Sequence, residues 1–339
     1  MIKKSLLLTV FVVLGLSLIL AGCGGNKSSG TSNDKKSYEI SYSTWANEGE
    51  PAYVGMQRFK KIVEDKTGGN VSVKLFPSNQ IGTTEEQLEQ VKMGTIQMMS
   101  SGNPGMKKLE YLALPYLMKS NDNWLKVLNS SVGEKWNKQL VDDKGIRNIG
   151  LLPRGPRIVS ANKEIHTPED MKGLKIRVPT RDYYVQTFEA LGANPTPMDF
   201  GEVYSGLQTG VVDGQENPLE TIYSAGFSEV QDYMIITHHM YKPAFVTINE
   251  EFYQNLPEDY RNIITDAAKQ AQKYAEKDME KKHAKMKKEM KEDGATFIEP
   301  DLEPFIQATQ SVRDRLGKKV WGEDTYEKIK ELGQANTED

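Results

Sequence analysis

From Glu258 to Asp293 the chain carries neither glycine nor proline, and this run constrains the fold more than any other stretch. Pro257-Glu258-Asp259 opens it as a helix start. Tyr260, Ile263, Ile264, Ala267, Ala271, Tyr274, Ala275, Met279, Met286 and Met290 then trace one helical stripe. About 35 residues at 1.5 Å each make a helix roughly 50 Å long, which exceeds one small lobe. Such a helix either crosses two lobes as a spine or projects as a coiled-coil arm, and the spine is expected here. Lys281, Lys282, Lys285, Lys287 and Lys288, mixed with Glu280 and Glu289, are expected to form its solvated face, with a membrane or partner role as the lesser alternative.

The N-terminus reads as an export signal. Lys3 and Lys4 supply positive charge, and Ser5 to Leu20 form an apolar run shorter than the ~20 residues of a spanning helix. Leu20-Ala21-Gly22-Cys23 follows and contains the only cysteine. It resembles a bacterial lipobox, which implies a lipid on the Cys23 thiol, although a plain signal peptide would also fit. Gly24 to Lys36 holds no apolar residue, so it cannot offset its conformational entropy by burial and is expected to act as a tether. With Cys23 used, no disulfide is expected, and packing must hold the fold. The formal net charge of −4 gives no electrostatic footprint for nucleic acid.

A mature chain of about 300 residues is expected to split into two lobes. From Tyr38, short strands alternate with helices: Glu39–Ser43, then a helix stopping at Gly68-Gly69, Val71–Leu75, a helix over Glu85–Met93, and Ile96–Met99. This pattern predicts an α/β lobe with a largely parallel sheet. The second lobe starts near Arg157, with strands at Arg157–Ser160 and Leu174–Val178. Thr167 and Pro168 form a helix start between them, Asp182–Leu191 is helical, and Asn194–Pro197 is held extended by its prolines. The expected division is a signal over 1–23, a tether over 24–37, a first lobe of 38–154 plus about 243–280, and a second of 155–242 plus about 281–339.

Enzyme signatures are scarce. No phosphate-binding loop and no nucleophile elbow is present, so no cofactor and no catalytic residue is expected. The adjacent His238 and His239 point to opposite faces of a strand, which suits ordinary strand-end residues better than a metal site. Arg177 stands at the C-terminal end of a strand, where α/β folds place ligand groups. A guanidinium there can hold a carboxylate by two parallel hydrogen bonds, or it can form a surface salt bridge. Phe200 and Asn217 are open between ligand contacts and, respectively, core filler and a loop cap.

Three blocks stand out: Lys172 to Pro179, Leu191 to Tyr204, and Leu207 to Pro218. Together they closely resemble the solute-binding proteins of tripartite ATP-independent periplasmic (TRAP) transporters, the DctP family. Phe76 to Gly82 and Leu114-Pro115-Tyr116 share the resemblance, which runs from about Tyr38 to beyond Leu302. It implies a two-lobed α/β fold of the periplasmic-binding-protein type, with the long helix lying across both lobes and bending as they close. It implies that Arg177 pairs with the ligand carboxylate, that Arg157 is a second basic pocket residue, that Phe200 is an aromatic wall and that Asn217 is a polar contact. Trp45 is expected to stack on the ligand, and Thr180 occupies a position that is often asparagine in sialic-acid binders. Those binders carry charged residues where this chain has Thr83-Thr84-Glu85 and Ser100-Ser101-Gly102-Asn103. The departure points to a smaller acid, a dicarboxylate or a sugar acid.

The expected function is therefore capture of an organic acid between the lobes and delivery to TRAP permease subunits, without covalent chemistry. The expected place is the extracytoplasmic face of the membrane, as a lipid-anchored monomer. A binding protein of an ATP-driven importer and an extracytoplasmic α/β enzyme stay open as alternatives.

Overall fold

The computed structural model describes residues 37–335. The signal segment, Cys23 and residues 24–36 of the tether lie outside the described residues.

Eleven strands are present among these residues: β1 (Tyr38–Thr44), β2 (Val71–Phe76), β3 (Met98–Ser101), β4 (Ile146–Leu152), β5 (Arg157–Ala161), β6 (Lys175–Val178), β7 (Asn194–Pro197), β8 (Gly214–Pro218), β9 (Tyr233–Met240), β10 (Ala244–Asn249) and β11 (Thr296–Ile298). They form two sheets, in the orders β2-β1-β3-β10-β4 and β11-β9-β5-β8-β6-β7. The chain passes between the sheets at Pro153-Arg154-Gly155-Pro156 and returns at Tyr241-Lys242-Pro243. The expected two-lobed α/β architecture follows from this topology.

The first sheet is less parallel than expected. β1 runs parallel to β2 and β3, but β10 is antiparallel to both β3 and β4. β10 enters only after the chain has completed most of the second sheet, so its direction is set by that return path and not by a local strand–helix–strand unit.

Local signals place the elements well. Pro51 opens the helix Pro51–Thr67, and Gly68 closes it in the left-handed conformation with φ 60°. Thr83 and Glu86 form a reciprocal capping box on the helix Thr84–Lys92. Thr167 and Asp170 make the same box, but on a single 3-10 turn, Pro168–Met171.

The long helix spans Glu258–Glu292, 35 residues. Its Ile264, Ala267, Ala268 and Ala271 join the apolar cluster of the first sheet, and Met290 joins that of the second. Its methyl-sized residues allow close approach to β4: a Cβ added at Gly150 would lie 3.3 Å from the Ala268 methyl. The expected stripe is buried only in part. Tyr274 is 48% exposed and carries the Arg58 guanidinium over its ring, because the helix face turned to the helix Pro51–Thr67 is lined by alanines and leaves no room for a ring. The lysine face is solvated and laced with ion pairs, including Lys282–Asp278 and Lys285–Glu289. No helix among the described residues is long and apolar enough to cross a membrane.

Candidate functional site

The two crossing segments, the C-terminal ends of β1, β3, β6 and β8, and the start of β5 enclose a cavity of about 150 Å³. All six sequence-predicted binding residues, Trp45, Arg157, Arg177, Thr180, Phe200 and Asn217, line it.

Arg177 is 3% exposed, and no carboxylate among the described residues forms an ion pair with it, which removes the surface salt bridge as an explanation. Its Nε and Nη2 both donate to the Met198 carbonyl, at 2.9 and 2.7 Å. This bond orients the guanidinium from the chain just beyond β7. Burial pushes its pKa down to about 10, with Glu216 opposing and Arg157 reinforcing the shift. A permanent cation held this way is stabilised by any anion that enters.

Arg157 is also 3% exposed, but its charge is already matched. Its Nε donates to Glu216 Oε2, and Nη2 donates to Glu216 Oε1 at 2.6 Å and to Asn217 Oδ1 at 2.9 Å. Burial alone would raise the Glu216 carboxyl; the Arg157 charge and the hydrogen bonds from His239 and Arg157 instead hold it at about 2. His239 Nε2 lies 3.1 Å from Glu216 Oε2, and its Nδ1 lies 2.8 Å from Thr237 Oγ1. Burial keeps this imidazole below its usual range. His239 is thus part of a buried charged network and not an ordinary strand-end residue, because alternation along β9 turns it inward onto β8. Asn217 serves the same network: its Nδ2 donates to Gln215 Oε1 at 2.7 Å.

The remaining predicted residues form walls. Phe200 sits in a 3-10 turn against Phe227, with centroids 5.8 Å apart. Trp45 follows β1 and is half-buried. Thr180 is at the rim, exposed, with its Oγ1 taken by Arg181 Nη1 at 3.4 Å.

Three cations lining the cavity were missed in the sequence: Arg181 at its mouth, and two buried ones on the crossing segments. Arg154 is 6% exposed and stacks on Trp45, 4.9 Å from the ring centroid. Its Nη2 donates to Thr221 Oγ1 at 3.2 Å, while its Nε has no hydrogen-bond partner among the described residues. Lys242, also 6% exposed, donates to the Tyr183 hydroxyl at 2.6 Å and lies 3.8 Å from Glu110. Burial pushes its ammonium down to about 8; Glu110 opposes this, and Arg181, Arg157 and Arg154 reinforce it. A cation flanked by proline at a strand break, as in Pro153-Arg154 and Lys242-Pro243, was the available signal.

The lobes meet on both sides of this cavity. At its mouth, Arg181 of the second lobe donates through Nη2 to Glu85 and through Nε to Glu110 at 2.6 Å, both in the first. Beside it, the Tyr111 hydroxyl donates to Asp182. At the back, Glu50 accepts from Thr221 at 2.9 Å and Ser224 at 3.0 Å. Gly155 approaches this corner so closely that an added Cβ would lie 2.8 Å from Glu220 Oε2.

Two α/β lobes joined by crossing strands and closed on a cation-lined cavity have the architecture of a bilobal solute receptor. The chain belongs to the bacterial extracellular solute-binding protein family 7, DctP, which it matches over residues 42–319. A solute-binding protein of Roseobacter denitrificans is 34% identical over 268 residues, covering 78% of this chain and 82% of the relative. The 2,3-diketo-L-gulonate-binding periplasmic protein of Escherichia coli is 30% identical over 324 residues, covering 93% and 97%. The crystal structure of a TRAP periplasmic solute-binding protein from Roseobacter denitrificans with bound L-galactonate superposes with a TM-score of 0.79 at 31% identity, covering 88% of this chain and 99% of that one. The family is extracytoplasmic and consists of solute receptors.

Proposed function

We propose that this chain captures a small organic acid in the interlobe cavity, with the carboxylate on Arg177, and delivers it unchanged to a TRAP permease. The observation that carries the reading is a buried arginine, fixed by a backbone carbonyl, that has no carboxylate partner among the described residues. Arg157 and Asn217 brace one side, Phe200 and Trp45 form the walls, and Thr180 lies at the rim. A cavity near 150 Å³, a volume that holds a benzene-sized molecule, suits a small organic acid. The relatives that bind 2,3-diketo-L-gulonate and L-galactonate favour a sugar acid. A second cation, Lys242, favours a short dicarboxylate instead. The lipid on Cys23, with residues 24–37 as its leash, would keep the receptor at the outer face of the membrane.

The test is a thermal-shift screen of hexonic, hexuronic and C4-dicarboxylic acids, followed by calorimetry. A ligand at 100 times its Kd adds about 2.7 kcal/mol of stability. Arg177→Ala, with unchanged circular dichroism, is expected to cost about two to nearly four decades of affinity, since breaking a buried charge pair costs about 3–5 kcal/mol. Binding of the acid by this variant within about threefold of wild type would refute the carboxylate clamp. Mass spectrometry of the acid after incubation distinguishes capture from turnover.

A further inference from the structure

A second cavity, of about 420 Å³, lies on the opposite face of the returning segment from the acid site. Residues 238–242 divide between the two: Lys242 lines the first cavity and His239 reaches Glu216, while His238 and Tyr241 line the second. Tyr116, Tyr241, Leu302 and Ile306 give this rear cavity an aromatic and aliphatic body. Lys119, Arg313 and Lys330 bring three basic side chains to it, and no aspartate or glutamate among the described residues lines it.

The charge is weakly compensated. Arg313 is 8% exposed, and its ion pair is a 3.5 Å contact from Nε to neighbouring Asp314, whose same oxygen accepts the Tyr326 hydroxyl. Lys330 reaches Glu327 only at 3.7 Å, and Lys119 donates to the Gln334 carbonyl at 3.2 Å. A guanidinium removed from water with one distant counter-charge is stabilised by an anion brought beside it.

The backbone here is also strained. Tyr116 has φ 52° and His238 has φ 42°, two of the four non-glycine residues in the left-handed region among those described. Tyr116 holds the segment on both sides of His238: its N–H donates to the His239 carbonyl at 2.9 Å and its hydroxyl to the Thr237 carbonyl at 3.0 Å. Strained bulky residues persist where the surroundings over-determine them, and such positions concentrate at ligand sites.

We infer that the rear cavity is a second binding site, for a small organic anion with an apolar body, such as an aromatic carboxylate. Arg313, Lys119 and Lys330 receive the carboxylate, and Tyr116, Tyr241, Leu302 and Ile306 receive the ring.

The test uses 2-naphthoate as probe, titrated calorimetrically into the chain and into Arg177→Ala, Lys119→Met/Lys330→Met and Arg313→Met variants. Naphthoate is expected to bind wild type and Arg177→Ala alike, and to bind the double lysine variant at least about tenfold more weakly. Neutral 2-naphthamide is expected to bind wild type at least about tenfold more weakly than naphthoate. The double variant alters side chains at the cavity lip, so it keeps the test decisive if Arg313→Met does not fold. Loss of naphthoate binding in Arg177→Ala would place the probe in the acid cleft and overturn the inference. Equal binding of naphthamide, or absence of naphthoate binding at about 5 mM, would overturn it as well.

Discussion

Glu216 is the residue whose loss the structure prices most clearly. Glu216→Gln keeps the shape and removes one charge. Wild-type Glu216 is fully buried between Arg157 and His239, so the variant leaves a 3%-exposed guanidinium without its counter-charge. Breaking a buried pair in this way costs about 3–5 kcal/mol. A carboxyl moved from 4.5 to about 2 on folding gives a second measure, ~3 kcal/mol at neutral pH. The two agree, and for a folded region of about 300 residues the loss corresponds to a fall in Tm of about 5–8 °C. The folded value is the depressed one, so the contribution is present in full above the unfolded value and is lost as pH falls through the window from 4.5 to about 2. Melting curves by circular dichroism at pH 7 and at pH 3 should therefore show a large gap between wild type and variant at pH 7 and a smaller one at pH 3. Adding Arg157→Met to Glu216→Gln should recover stability, because the stranded cation is gone. A loss below about 1 kcal/mol at pH 7, or a double variant no more stable than Glu216→Gln alone, would refute the reasoning.

Further outcomes follow from the same geometry. Arg181→Met removes the ion pairs at the mouth, which are partly exposed and worth ~1 kcal/mol together, so stopped-flow release of bound acid should accelerate about fivefold; unchanged release would show that the contacts do not hold the lobes. Lys242 is protonated below about 8, so acid affinity should decline as pH rises through that value, and Lys242→Met should flatten the profile; an unchanged slope in the variant would assign the dependence elsewhere. Gly155→Ala should weaken closure by pushing Glu220 aside, read as reduced acid affinity with little change in the first lobe's circular dichroism. Cys23→Ala should abolish incorporation of labelled fatty acid, and equal labelling of both proteins would remove the lipid anchor.

The cleft was legible where residue type and position reinforced each other. Arg177 at a strand end, Phe200 after a proline-rich extension and Asn217 in a glycine-bounded block carry their chemistry in local sequence. Arg154 and Lys242 were hidden because a crossing segment has no periodicity, and nothing local tells that two such segments meet. Glu216 stood inside a block already singled out, but its role depends on Arg157 arriving 59 residues earlier in the chain. The antiparallel placement of β10 is likewise a long-range pairing. The exposure of Tyr274 depends on how closely two helices approach, which a one-helix stripe does not encode.

The long helix is held firmly near its start and again at Met290, yet no residue between Ala275 and Met290 is buried. It is mechanically a beam clamped at both ends, with a span of roughly 22 Å between the clamps that touches the second lobe through polar contacts, His283 with Glu220 at 3.6 Å and Glu289 with the Tyr223 hydroxyl at 2.8 Å. Bending is least costly in such a span, since solvated backbone hydrogen bonds there lengthen without disturbing any packed core. A bend in this span would move the lobes relative to each other and part the mouth contacts of Arg181 with Glu85 and Glu110. The lysine–acid pairs along this span then act as the spring's stiffness, and salt that screens them would make the receptor more compliant without altering its acid site.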